Sequence, residues 1–291
     1  MLSGALSMKP RIRASFSGGR SSAKMCEILQ RRFGDSHEIV YTFANTSWEH
    51  PKTLDFVHAV DRWLGLNLVW LEAVVHEGRK SCTHRVVTYE TAKRNGEVFE
   101  DVVAKYGLPN QVFKLCTREL KTNVMNSYAR SMGWAPGSYE TAIGIRADEP
   151  RRVRREVADR ERIIYPLVDL EPTDKQDVLT YFEQFAWDLG IEEHQGNCTA
   201  CFQKSDRKLL TLYREDPSNF AFPIRLDQLY SNVGPNNVPG PRRMYRGHRS
   251  ARDLVAEFKA ASQDYRPPVH DGGCSESCEL YETEQLELFP A

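Results

Sequence analysis

No segment of this 291-residue chain is apolar for long enough to span a bilayer. The most apolar run, residues 64–75, is broken by Asn67 and Glu72 and falls well short of the roughly 20 residues a spanning helix needs. The first sixteen residues lack an apolar h-region, so no secretory signal is expected and the expected compartment is the cytoplasm. Charge of one sign is also lacking: 39 Lys+Arg face 40 Asp+Glu, a net −1. That balance argues against coating of nucleic acid or membrane through bulk charge and leaves only local basic patches for such contacts. No collagen or coiled-coil repeat occurs, and 41 % hydrophobic residues exclude a disordered chain. The seven cysteines, an odd number with no export signal, make a poor disulfide framework and point to a reduced setting.

What is present begins with alternation of strand and helix. A strand over 12–16 runs into Ser17-Gly18-Gly19-Arg20-Ser21-Ser22, and a helix follows with Cys26, Leu29 and Phe33 on one stripe. A second strand over 38–44, a helix over 51–64 and a third strand over 67–73 complete a β-α-β-α-β order. That order predicts a doubly wound parallel sheet, an α/β fold whose ligands bind at the carboxyl ends of the strands. Residues 76–109 read as a polar, helix-prone insertion over that edge, 114–133 as a helix and 139–145 as a further strand. Thr173 and Asp174 cap a helix predicted over 175–190, and shorter helices are expected over 207–214 and 251–261. The expected organisation is a nucleotide-binding domain over 1–195, a cysteine-bearing and mostly helical extension over 196–265, and an acidic tail over 266–291 holding Cys274 and Cys278. A Pro/Gly/Asn-rich loop over 233–241 interrupts the extension.

The turn at 17–22 has the composition of a phosphate cradle. Two glycines let backbone N–H groups face inward, and the helix that follows adds a partial positive charge. It is not a Walker A loop, because no G-x-x-x-x-G-K-[ST] occurs. Ser-Gly-Gly-Arg-Ser-Ser resembles the pyrophosphatase-type loop of the adenine nucleotide alpha hydrolase superfamily, in its sulfonucleotide (PAPS) reductase branch. Four further segments resemble that branch in the same order: Phe43 to His50 with Thr53 to Val57, Cys116-Thr-Arg-Glu-Leu-Lys121, Gly144-Ile145-Arg146-Ala-Asp-Glu149, and Tyr165-Pro166-Leu167 with the helix after it. The resemblance covers about residues 10–205.

The resemblance implies an adenine nucleotide alpha hydrolase fold that binds ATP, with Mg²⁺, or PAPS or APS. The nucleotide would contact Ser17, Gly18, Gly19, Arg20, Ser21, Ser22, Ala44, Asn45, Thr46, Gly144 and Arg146, with Arg20, Arg146 and Cys116 in catalytic roles. It also implies that Cys116, Cys198 and Cys201 ligate a [4Fe-4S] cluster. Leu115 replaces the second cysteine of the family's usual pair, so Cys274, or Cys278, would supply the fourth ligand unless one iron stays open. Thiolates also suit a structural zinc, the alternative at these positions. The reductases' E-C-G-[IL]-H motif is absent. The activity implied is therefore adenylation of an acceptor followed by sulfur transfer to it, the acceptor being tRNA, DNA or a small molecule and a donor protein supplying sulfur. Sulfonucleotide reduction and a non-catalytic zinc-containing binding module are the alternatives, and a homodimer is compatible with either. For the basic patches, Arg151, Arg152, Arg154 and Arg155 form one candidate contact for a polyanion, and Arg242, Arg243, Arg246 and Arg249 with Tyr245 a second. Mixed into the first are Glu149, Glu156 and Glu161, which suit a solvated, salt-bridged face equally well.

Overall fold

A computed structural model describes residues 9–196, 198–234, 240–262 and 264–266. Cys274, Cys278, the acidic tail and part of the 233–241 loop lie outside the described residues. The sheet has six strands: β1 (Arg11–Phe16), β2 (Glu38–Ala44), β3 (Val69–Val74), β4 (Thr83–Val87), β5 (Glu140–Ile143) and β6 (Ile163–Ile164). Their order is β4-β3-β2-β1-β5-β6, so the chain moves outward from β1 on one side and then restarts on the other with β5. β1 pairs in parallel with both neighbours, Phe16 opposite Phe43 and Ser15 opposite Ile143. β4 is antiparallel to β3, with Trp70 opposite Val87, which makes the sheet mixed rather than wholly parallel.

Ten α-helices flank these strands among the described residues: α1 (Arg20–Phe33), α2 (Pro51–Leu64), α3 (Glu97–Tyr106), α4 (Asn123–Ser131), α5 (Arg155–Glu161), α6 (Pro166–Asp169), α7 (Lys175–Glu183), α8 (Asp206–Glu215), α9 (Ala221–Tyr230) and α10 (Ala251–Ala260). Alternate residues of the central strands point to opposite faces and feed two cores. Ile12, Ala14, Phe16, Tyr41 and Phe43 pack under α1, α2 and α7, where Ile28, Leu29, Val57 and Phe182 meet them. Ala44, Leu71, Ala73 and Ile143 belong to the other core with Val98 and Phe99 of α3 and Val124 and Met125 of α4. Helices α8 to α10 contribute Leu209, Leu212, Leu226, Leu254 and Phe258 to this same second core. The C-terminal extension therefore has no separate core; it continues the one over α3.

Several expected boundaries move. Residues 76–109 hold a strand as well as a helix, because β4 gains its hydrogen bonds from β3 although Arg85 and Val86 are exposed. The helix expected over 114–133 opens as a π-helical turn, Cys116–Thr122, before α4. Inside this wide turn Glu119 is buried, accepting the Cys82 N–H at 2.9 Å and an Asn123 amide hydrogen at 3.0 Å. The helix over 175–190 stops at Glu183, after which the chain packs Phe185 on Trp187 and turns Asp188 toward Arg20.

Candidate functional site

β1, β2 and β5 end along one edge of the sheet, and the Ser/Gly turn sits at that edge between β1 and α1. This is the position from which the chain turns to opposite sides of the sheet, where open α/β sheets place their ligands. Gly18 has φ +87°, and a Cβ there would come within 2.7 Å of the Thr53 methyl, so only glycine fits the turn without strain. Gly19 caps α1 with no side-chain hydrogen bond, and no acidic residue occupies the helix's first turn. The partial positive charge at this amino end thus meets no carboxylate from its own helix. Ser22 Oγ ties the loop together, accepting from Ser17 N–H at 3.2 Å and donating to the Gly19 carbonyl at 2.8 Å.

From the other side, β5 presses directly on the loop. A Cβ on Gly144 would stand 2.8 Å from Ser22 Cα, a backbone contact that cannot give way cheaply. Two residues further on, Arg146 donates to Ser21 Oγ at 3.3 Å, so the loop and the Gly-Ile-Arg segment form one unit. Arg146 also donates to Asp148 at 2.8 Å, and Arg20 holds Asp188 through two bonds of 2.7 and 2.5 Å. In both pairs the guanidinium is the buried member and the carboxylate the open one, with side chains 9 and 10 % exposed against 38 and 39 %. Burial opposes ionisation of Asp148 and Asp188, yet the arginine hydrogen bonds and charges outweigh it and hold both carboxyls below their usual range. Arg146 also faces the largely buried Glu149 at 3.8 Å, but the exposed carboxylates of Asp148 and Asp188 suit exchange for phosphate, since guanidinium binds either as a fork.

At the end of β2 the structure gives the expected nucleotide contacts a different task. Ala44, Asn45 and Thr46 are buried. The Asn45 amide donates to Glu72 and to the Lys93 carbonyl, while its oxygen accepts from Ser47 N–H at 3.0 Å. Thr46 N–H is held by Glu49, and its hydroxyl lies 3.5 Å from Cys198 Sγ. These residues fold the strand end onto the cysteine knuckle.

The knuckle itself is a tight turn in which Cys201 N–H donates to the Cys198 carbonyl at 3.2 Å. It is pinned by a Glu49–Cys198 bridge and by Thr199 N–H on the Trp48 carbonyl. Cys116, Cys198 and Cys201 are all buried and belong to one cluster. Burial pushes the Glu49 carboxyl up, and the ammonium of Lys121, on the π-turn that Cys116 opens, works against that rise. Lys204 is buried as well and donates to the Thr199 carbonyl at 2.7 Å. Among the described residues no three His, Cys, Asp or Glu side chains gather closely enough to hold a metal ion. The knuckle offers two sulfurs, and Cys274 and Cys278, expected to complete the set, lie outside the described residues. Cys26 and Cys82 are buried; burial, and then the Glu119 carboxylate, push the Cys82 thiol up to about 12.

Several arginines of the basic patches are tied into structural contacts, while Arg151 is exposed. Arg152 pairs with Glu149 at 2.6 Å and Arg155 with Asp169 at 2.7 Å. Arg246 donates to the carbonyls of Lys204 and Gln203, Arg249 pairs with Asp206 and Glu257, and the Tyr245 hydroxyl donates to the Ala200 carbonyl. One residue absent from the expected set is Thr53, whose packing against Gly18 is visible only in three dimensions.

Fold and site together define an α/β protein with a glycine turn and two buried arginines at the carboxyl edge of its sheet. No helix among the described residues is long and apolar enough to cross a membrane. No family model matches the sequence. Over 281 residues it is 30 % identical to the uncharacterized nin region protein ORF290 of Escherichia phage lambda, an alignment spanning 92 % of this chain and 94 % of that protein. The chain belongs to the family of that phage nin region protein.

Proposed function

We propose that this protein binds ATP or a related adenine nucleotide through residues 17–22 and uses it to activate an acceptor for sulfur transfer. The observation that supports this reading is the joint between Gly144 and Ser22, which lays the Gly-Ile-Arg segment against the Ser/Gly turn as the resemblance to PAPS reductase-like enzymes requires. In the proposed first step an acceptor oxygen attacks the α-phosphorus of ATP, forming the acceptor–AMP bond and breaking the bond to pyrophosphate. Loop N–H groups and the guanidinium of Arg146 stabilise the negative charge that develops, an arrangement already in place before reaction. Arg20 contributes after its partner Asp188 gives way to phosphate. Mg²⁺ enters with the ATP as part of the substrate.

In the second step sulfide displaces AMP from the acceptor, the new bond to sulfur forming as the bond from the acceptor atom to the AMP oxygen breaks. Cys198 lies beside the end of β2, the strand next to β1, and the buried Lys121 and Lys204 suit this region to anionic sulfur. Among the described residues the knuckle brings two of the sulfurs, those of Cys198 and Cys201, into one turn. The test is anaerobic incubation of full-length protein with Mg-ATP, sulfide and tRNA or DNA. Equimolar pyrophosphate and AMP with thiolated acceptor are expected. Sulfite formed from PAPS and thioredoxin, with no pyrophosphate from ATP, would replace this reading with the reductase.

A further inference from the structure

β1 and β5 are parallel, so their amino ends share the sheet edge opposite the glycine turn. Ile12, Ala14 and Phe16 face α1, which sends Arg13 to the side of α4. Arg13 is 1 % exposed, and a cation so deeply buried has to be met by acceptors. Its guanidinium donates to Asn126 Oδ1 at 2.6 Å, to the Tyr139 hydroxyl at 3.3 Å and to Thr141 Oγ1 at 3.2 Å. Those three residues also line a pocket of about 90 Å³, together with Arg130 and Glu161.

The bond to Arg13 decides what Asn126 has left to offer the pocket. With its oxygen engaged, the amide is fixed in orientation and keeps both N–H hydrogens. That NH₂ group makes no hydrogen bond among the described residues and retains accessible surface. Arg130 follows one helical turn later on the same face of α4, exposed and paired with no carboxylate among the described residues. The acidic lining residue, Glu161, is held by Arg160 at 3.1 Å. A pocket of this volume holds a few waters or one small oxyanion.

We infer that this pocket binds an inorganic oxyanion of the sulfate or phosphate class, held by the Asn126 NH₂ group and the Arg130 guanidinium. Arg13 acts from beneath without touching the ion, through its charge and by fixing the Asn126 amide. The site lies at the other end of the strands from the Ser17–Ser22 turn and does not depend on the nucleotide-binding reading.

Equilibrium dialysis with labelled sulfate, at constant ionic strength, tests this on full-length wild type, Arg130→Glu, Asn126→Asp and Gly19→Asp, with thermal unfolding to check each fold. Asn126→Asp keeps the oxygen that Arg13 needs and replaces the NH₂ donor with an acceptor. Arg130→Glu changes an exposed side chain. Gly19→Asp obstructs the glycine turn and leaves this pocket untouched. Sulfate is expected to bind wild type and Gly19→Asp, and each pocket variant should weaken one site per chain by roughly ten-fold or more. Unchanged affinity in either folded pocket variant overturns the inference. So does binding that disappears in Gly19→Asp, which would place the ion in the turn, and so does a wild type that binds no sulfate.

Discussion

Gly18 and Gly144 carry the loop's geometry, one by its backbone angle and the other by closeness. Gly18→Ala forces a side chain into φ +87° and onto the Thr53 methyl. A destabilisation of about 1–3 kcal/mol is expected in urea unfolding. Gly144→Ala drives a methyl toward Ser22 Cα, which displaces the amino end of α1 from β5 and should weaken nucleotide binding even where the fold survives. A second residue-scale expectation concerns Asp227. It is buried, one oxygen accepts the Ala251 N–H at the start of α10, and the other has no partner. Burial raises its carboxyl from an ordinary 3.8 to about 6. A carboxyl raised on folding contributes stability that is complete below its unfolded value and is lost as pH rises through about 6. Asp227→Asn removes that loss. Its unfolding temperature relative to wild type should therefore be higher at pH 7.5 than at pH 4, and parallel curves at the two values would contradict the assignment.

At the scale of elements, the sequence made the β-α-β-α-β core readable because hydrophobic periodicity there agrees with burial. The β-branched and aromatic content of 38–44 and the stripe of Cys26, Leu29 and Phe33 need no tertiary information. β4 was not readable. Thr83, Val86 and Val87 favour a strand, but five residues inside a polar, helix-prone stretch give too short a signal, and pairing with β3 supplies the rest. The π-turn likewise follows from a tertiary demand, the buried Glu119 reaching the Cys82 N–H and Asn123. Glu119→Ala leaves those donors buried without an acceptor and should cost about 2–4 kcal/mol, measured by denaturant unfolding. Among the expected site residues, the loop and Arg146 come together, as the resemblance implies. Asn45 and Thr46 do not show their role in sequence, because what uses their polar atoms is Glu72, Lys93, Glu49 and Cys198, far along the chain. Thr53 belongs to the segment that carries the resemblance, but its packing against Gly18 is visible only in the fold.

For the molecule as a whole, the shared core over α3 joins the cysteine knuckle and the C-terminal helices to the sheet. Leu254→Ala in α10 removes a fully buried side chain and should destabilise by about 2–5 kcal/mol. The loss should shift one cooperative transition, with tryptophan fluorescence and far-ultraviolet dichroism moving together; separate transitions would show that the extension folds alone.

The central claim is that the turn after β1 grips the phosphates of an adenine nucleotide. Gly19→Asp tests it most directly. Gly19 has φ −101°, which any residue adopts, Asp is a good helix cap, and thermal unfolding checks that the variant folds. Its carboxylate would stand where the phosphates are held. Equilibrium dialysis with labelled Mg-ATP should show binding to wild type and none to Gly19→Asp. Equal binding by the two proteins, or none by a folded wild type, would contradict the account.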